Sequence, residues 1–319
     1  MIERTVIEFE HELLKGLEHP AFVARGEAGD GPKVTLIGGI HGCEYSSIAA
    51  VTRFMNELDT SELKGTITGV PVVSMESFMK RSPFVVPIDG KNLNRCFPGS
   101  YEGTYTDVLA RSIYETLIAP ADLLLDLHGG DQVEALEPFA IYDASPVEER
   151  AHQMAVAFGL PYVVREERKD GGLGGMTTSA AAAAGVPGVI AEAGGRGLLE
   201  ENATSLLVAG ARNALRAVGV LSGDLDPPPP GQRQVGSFIW LRSRAAGWWQ
   251  WLVEAGESVD EGQVIGRICD LWGGVLEEIV APQHGVVLFI TSSPAVPADG
   301  LLLGLGADLS EVETTKGVP

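Results

Sequence analysis

Residues 33–47, KVTLIGGIHGCEYSS, run an apolar stretch into two glycines and then set a histidine and a glutamate three residues apart. The run ending at Ile37 reads as a buried strand, and Gly38-Gly39 lets the backbone turn sharply after it. The residues from about 44 to 58 read as a helix. Strand, tight turn and helix in that order form the repeating unit of an α/β layered sheet. Open sheets of this kind carry their sites at the carboxyl edge of the strands, which is where His41 and Glu44 emerge. An imidazole nitrogen and a carboxylate oxygen suit Zn²⁺, and the same two residues could also cap a helix or sit in a polar turn.

The pattern recurs along the chain. GTITGVPVVS (65–74), ADLLLDLHGG (121–130), LPYVVR (160–165) and GVPGVIAEAGG (185–195) read as further strands, and segments near 104–117, 146–158, 175–184 and 200–218 as helices. Strands this apolar are buried on both faces of a central sheet. Two of them also end in a double glycine, and they deliver His128 and Glu192 to the same edge. A catalytic zinc takes three protein ligands and leaves a fourth position to water, so His128 is the third candidate ligand. Asp126, two residues earlier, shares the strand face of His128 and is placed to orient its second nitrogen. Glu192 stands among small apolar residues, where burial raises a carboxyl pKa towards the range of a general base. Its structural alternative is an ion pair with Arg196. Asn94 and Arg95, in the loop DGKNLNRCFPG (89–99), suit bidentate capture of a substrate carboxylate. His11, His19, His152 and His284 lie in charged, turn or helical contexts and read as structural or solvated. Cys43 and Cys96 read as small fillers.

Composition limits the partners. With 43 acidic and 23 basic residues the net charge is −20, which argues against a nucleic-acid backbone or an anionic membrane surface. No apolar run approaches about 20 residues, the length of a membrane span. The start MIERTVIEFEHELLKG lacks the apolar core of a signal peptide, and Cys43, Cys96 and Cys269 are too few for a disulfide framework. A cytoplasmic protein is expected, with oligomeric state left open. The segment SGDLDPPPPGQRQ cannot continue a helix or central strand. It divides the chain into 1–222, a linker at 223–231, and a Gly- and Val-rich all-β region at 232–319. All five tryptophans (240, 248, 249, 251 and 272) fall in that last region and read as core and sheet packing.

GGIHGCE, DGKNLNRCFPG, LDLHGG and IAEAGG, in that order, resemble the succinylglutamate desuccinylase/aspartoacylase family over most of residues 30–220. The resemblance implies a three-layer, carboxypeptidase-like α/β domain with a mixed, mostly parallel sheet. It also implies one Zn²⁺ per chain held by His41, Glu44 and His128, with Glu192 as general base and then acid. Asn94 and Arg95 would hold the carboxylate of a small N-acyl amino acid, whose amide a metal-activated water would hydrolyse. The C-terminal region resembles the biotinyl/lipoyl barrel-sandwich. A carrier function is not expected of it, because the attachment lysine is missing: after Lys169 the next lysine is Lys316. Two departures bear on the substrate. Aspartoacylases place a carbonyl-polarising arginine where this chain has Pro87, which leaves Arg81 as the candidate. They also place an arginine about ten residues before the base, where this chain reads SAAAAAG. A dicarboxylate substrate is therefore in question, and Arg165, Arg168, Lys169 and Arg196 are the cations that could compensate. The alternatives are a zinc carboxypeptidase acting on short peptides and a non-catalytic binding protein using the biotinyl-like region.

Overall fold

The structure is a computed structural model that describes residues 1–167 and 174–312. Arg168, Lys169 and Lys316 lie outside the described residues. In chain order the elements are β1 (Ile2–Ile7), β2 (His19–Arg25), β3 (Lys33–Ile37), α1 (Tyr45–Glu57), β4 (Thr66–Val70), α2 (Met75–Lys80), α3 (Tyr105–Ile113), β5 (Leu123–His128), β6 (Glu134–Leu136), β7 (Phe139–Asp143), α4 (Glu148–Phe158), β8 (Tyr162–Glu166), α5 (Thr177–Ala183), β9 (Gly188–Glu192) and α6 (Glu201–Ala217). The β-rich remainder holds β10 (Arg233–Val235), β11 (Ser237–Arg242), β12 (Gly247–Trp251), β13 (Ser258–Val259), β14 (Val264–Cys269), β15 (Val275–Val280), β16 (Gly285–Thr291), β17 (Ala295–Val296), β18 (Leu301–Ala307) and β19 (Ser310–Glu311).

The main sheet is mixed, in the order β1-β2-β4-β3-β5-β9-β7-β8-β10-β19. Its centre, β4-β3-β5-β9, is parallel. Strand β7 runs antiparallel to β9, and β1, β2 and β4 pair antiparallel at one edge. Helices cover both faces, and strand alternation assigns each side chain its layer. Leu123, Leu125 and Leu127 of β5 pack with α1, α4 and α6. Leu124 packs on the other side with α3 and α5. Asp126 and His128 have the parity of Leu124, so both lie on the α5 side.

The ligand loop depends on close backbone approach. Gly39 turns with φ +61°, and a Cβ there would lie 2.9 Å from Val72 Cα. At Gly42 a Cβ would lie 2.1 Å from the Phe78 amide nitrogen, which belongs to α2. The loop between β3 and α1 is therefore pressed directly onto another helix.

The C-terminal region forms two antiparallel sheets, β11-β18-β16-β13 and β15-β14-β12-β17. Trp249, Ile265, Ile268 and Leu303 lie in the core of this region. It is tied to the main body in both directions. Strand β10 pairs with β8 in parallel and β19 pairs with β10, while β6 leaves the main body to pair with β16. The expectation of core and sheet packing is corrected for Trp272; Trp240, Trp248 and Trp251 lie on strands β11 and β12, where the Trp240 ring meets Phe289 at 5.2 Å. Trp249 is fully buried, but Trp240 and Trp248 are 44% and 45% exposed and Trp272 is 93% exposed. Trp272 follows an Asp270-anchored turn in which the Trp272 and Gly274 N–H groups donate to Asp270 Oδ1, so its ring is left outside the sheet sandwich. No helix among the described residues is long and apolar enough to cross a membrane.

Gly42→Ala is expected to lower stability by about 2 kcal/mol or more, because the added methyl meets backbone atoms that cannot rotate away. Denaturant unfolding checks this. An unchanged midpoint would show that the loop is not held against α2 as described.

Candidate metal centre

Glu44 stands at the N-cap of α1 but gives its side chain no helix-capping hydrogen bond. It turns instead to the two histidines. Oε1 lies 2.6 Å from His41 Nδ1 and Oε2 lies 3.0 Å from His128 Nδ1, while the Gly129 N–H donates to Oε2 at 3.2 Å. The helix is completed through the Glu44 carbonyl, which accepts the Ser47 hydroxyl at 2.8 Å. His41, Glu44 and His128 are all buried, and their ligand atoms lie within 4.8 Å of one another.

Each histidine is held from behind. Asn92 Oδ1 accepts the Asn94 backbone N–H at 2.8 Å, which identifies it as the oxygen, and it faces His41 Nε2 at 3.1 Å. His128 Nε2 lies 3.0 Å from Asp126 Oδ2, which also accepts the Thr177 hydroxyl at 2.5 Å. With Nε2–H donated outward in both rings, both Nδ1 lone pairs point at Glu44. Metal-ligating histidines show this arrangement, with an outer acceptor fixing the tautomer. The donor set of two imidazole nitrogens and one carboxylate oxygen fits a divalent transition metal.

The charges agree with that reading. Burial alone would raise Glu44, but His41 and His128 hold it down at about 2. Burial opposes protonation of the imidazoles, yet Glu44 raises His41, while Asp126 and Glu44 raise His128 well above its ordinary value. The space between the two rings and Glu44 thus favours positive charge. Glu192 sits beside His128 in the β5–β9 register. Burial raises its carboxyl to about 7, with His128 pulling it down and Glu44 pushing it up.

The other expected residues are placed less centrally. No ion pair joins Glu192 to Arg196 among the described residues. Asn94 is buried, and its Oδ1 accepts the Thr177 N–H at 3.0 Å. Arg95 is exposed, donates to the Asn94 carbonyl at 2.7 Å and lies 5.8 Å over the Trp240 ring. Arg81 is exposed at the end of α2 in a left-handed conformation, φ 51°, near Tyr45. Arg165 is engaged by Glu148 and Glu167, and Arg196 is exposed. Cys43 is fully buried and accepts from Gln132 Nε2 at 3.3 Å. Sequence reasoning missed Asn92 and Thr177. Asn92 had a signal, since DGKNLNR contains two asparagines and only the second was given a role.

Fold and site together define an α/β protein with a buried His-Glu-His cluster and an adjacent half-buried carboxylate at the carboxyl edge of the parallel strands of a mixed sheet. The model of the succinylglutamate desuccinylase/aspartoacylase catalytic domain matches residues 30–218. The N-alpha-acetyl-L-2,4-diaminobutyric acid deacetylase of Halomonas elongata is 30% identical over 249 residues, which is 76% of this chain and 72% of that protein. The chain belongs to the succinylglutamate desuccinylase/aspartoacylase family. Among solved structures, the product-bound ectoine utilization protein of Ruegeria pomeroyi shares the fold with a TM-score of 0.84 at 24% identity, covering 96% of this chain and 95% of its own. A succinylglutamate desuccinylase/aspartoacylase of Rhodobacter sphaeroides does so with a TM-score of 0.83 at 23% identity, over 98% of this chain and 96% of its own.

His128→Ala is expected to abolish stoichiometric metal binding, as read by titration calorimetry. In the unaltered protein the affinity should weaken about tenfold for each unit fall in pH per proton displaced, because the cation replaces protons on histidines of raised pKa. Stoichiometric metal in the variant, or affinity independent of pH, would contradict the ligand set.

Proposed function

We propose that this chain is a zinc-dependent deacylase that hydrolyses the amide bond of a small N-acyl amino acid. The observation carrying this reading is the pairing of the buried His41-Glu44-His128 cluster with Glu192, a half-buried carboxylate of pKa about 7 on the neighbouring strand. Zinc, when bound, supplies a Lewis acid and lowers the pKa of a water molecule. The protein residues do the rest. Asn92 and Asp126 keep the two imidazoles in the ligating tautomer. Glu192 takes the proton of the attacking water and returns it to the departing amine nitrogen, and a pKa near neutrality suits both transfers. We assign the substrate carboxylate to Asn94 and Arg95, and polarisation of the scissile carbonyl to Arg81 at the end of α2.

The Halomonas relative is named for removing an acetyl group from an amino acid, which supports an N-acyl amino acid as substrate here. We read the main body, residues 1–222, as carboxypeptidase-like. The segment after the 223–231 linker is taken as a barrel-sandwich of the biotinyl type, supported by its two antiparallel sheets and used as a wall rather than a carrier. A cytoplasmic location agrees with the three free cysteines.

Glu192→Gln should keep its zinc and lose turnover by about 10²–10⁴-fold on N-acyl amino acids. In the unaltered enzyme kcat/KM should rise with pH as Glu192 loses its proton, with the midpoint at or below about 7, since a nearby cation lowers a carboxyl pKa. A screen of N-acetyl, N-succinyl and N-formyl amino acids against short peptides decides the substrate class. Release of residues from peptides alone would refute the deacylase reading.

A further inference from the structure

The loop after α2 holds Phe84 in a strained turn. Its φ is +57°, in the left-handed region that a bulky side chain rarely adopts. The Val85 N–H donates across it to the Pro83 carbonyl at 2.6 Å, so Phe84 is the central residue of a γ-turn of the rare hand. A conformation of this kind persists only where its surroundings over-determine it, and such residues gather at functional sites. The surroundings here do so from several directions. Asp131, which is fully buried, accepts the Phe84 N–H on Oδ2 at 2.7 Å. The Ser82 hydroxyl donates to the Val85 carbonyl at 2.7 Å, and the Ser82 N–H donates to the Ser77 carbonyl at 3.0 Å.

Asp131 lies three residues after His128, in the loop that follows β5. Its Oδ1 accepts the Gln132 N–H at 2.6 Å, and Gln132 Nε2 reaches Cys43 Sγ at 3.3 Å, between His41 and Glu44 in the chain. One buried carboxylate therefore joins the strained turn to both loops that carry the metal ligands, through hydrogen bonds strengthened by its charge. The turn fixes the place of a ring. Phe84 is half-buried, and its ring meets that of His41 edge-on, with centroids 6.1 Å apart and planes at 75°. His41 meets His128 at 5.2 Å, so Phe84 bounds the metal centre on the His41 side. Asn94, assigned above to the substrate carboxylate, stands behind His128: its partner Thr177 donates to the Asp126 oxygen that faces His128 Nε2. A substrate with its carboxylate there and its amide at the metal sends its acyl group towards Phe84.

We propose that Phe84 is a specificity residue that limits the length of the acyl group, and that Asp131 is the positioning residue that holds its ring at the metal centre. This rests on the deacylase reading and adds the residues that select the acyl chain. Both leave proton transfer to Glu192.

The test compares N-acetyl, N-butyryl and N-hexanoyl forms of one amino acid with the zinc-loaded full-length protein. In the unaltered enzyme kcat/KM should fall by about tenfold or more from acetyl to hexanoyl. Phe84→Gly suits the left-handed φ and removes only the ring, so the turn is kept. It should bring the acetyl-to-hexanoyl ratio to within about threefold, through a lower KM for the longer chains. Asp131→Asn should shift the ratio in the same direction, and should add nothing to that shift when combined with Phe84→Gly, because it acts through the ring. Equal use of acetyl and hexanoyl by the unaltered enzyme overturns the inference without needing any variant to fold, and leaves the deacylase reading intact. A uniform loss on all three acyl groups in Phe84→Gly also overturns it, since a structural role would act that way. An unshifted ratio in Asp131→Asn, or a shift that adds to that of Phe84→Gly, overturns the role of Asp131. No hydrolysis of any N-acyl amino acid overturns the deacylase reading together with the inference.

Discussion

The site depends on one register. Strands β3, β5 and β9 lie side by side and parallel, with Ile37 beside Asp126 and His128 beside Glu192. Each strand then runs out into a glycine turn at the same edge of the sheet. Parallel pairing fixes relative position along the strands as well as across them, so residues far apart in sequence reach one small volume. A slip of one residue in β5 would move Asp126 and His128 to the α1 side and leave a leucine facing Glu44. The apolar alternation of β5, with Leu123, Leu125 and Leu127 in one core and Leu124 in the other, guards against that slip.

Concentrating carboxylates here has a stability cost that the surroundings offset in different ways. Glu44 is ionised because two imidazoles face it. Asp126 has one oxygen engaged by His128 and Thr177, while Oδ1 is buried without a partner. At Glu192 burial outweighs the pull of His128 and His41, and its pKa moves towards neutrality. Burial acts on both Glu44 and Glu192, and the two imidazoles facing Glu44 hold it ionised while Glu192 titrates nearer neutrality.

Much of this was legible in the sequence. The apolar runs ending in double glycines located β3, β5 and β9, and with them His41, Glu44, His128, Asp126 and Glu192. Partners supplied by loops were not legible. Asn92 orients His41 through a short turn that no periodicity reveals, and Thr177 reaches Asp126 only because α5 packs on that face of the sheet. Trp272 misled for a related reason: an aromatic cluster signals a β domain, but strand parity and turn position decide which rings are buried. Trp249 faces the core of its sheet, and Trp272 sits in a turn outside it.

The central claim is that two imidazole nitrogens and the Glu44 carboxylate hold the metal, with Cys43 passing between them unused. Zinc K-edge X-ray absorption on the loaded protein tests this most directly, because sulfur and nitrogen or oxygen neighbours scatter at different distances, about 2.3 Å against 2.0–2.2 Å. The account requires a first shell of nitrogen and oxygen only, with the imidazole signature reduced in His128→Ala. A sulfur neighbour, or a spectrum unchanged in that variant, would contradict it.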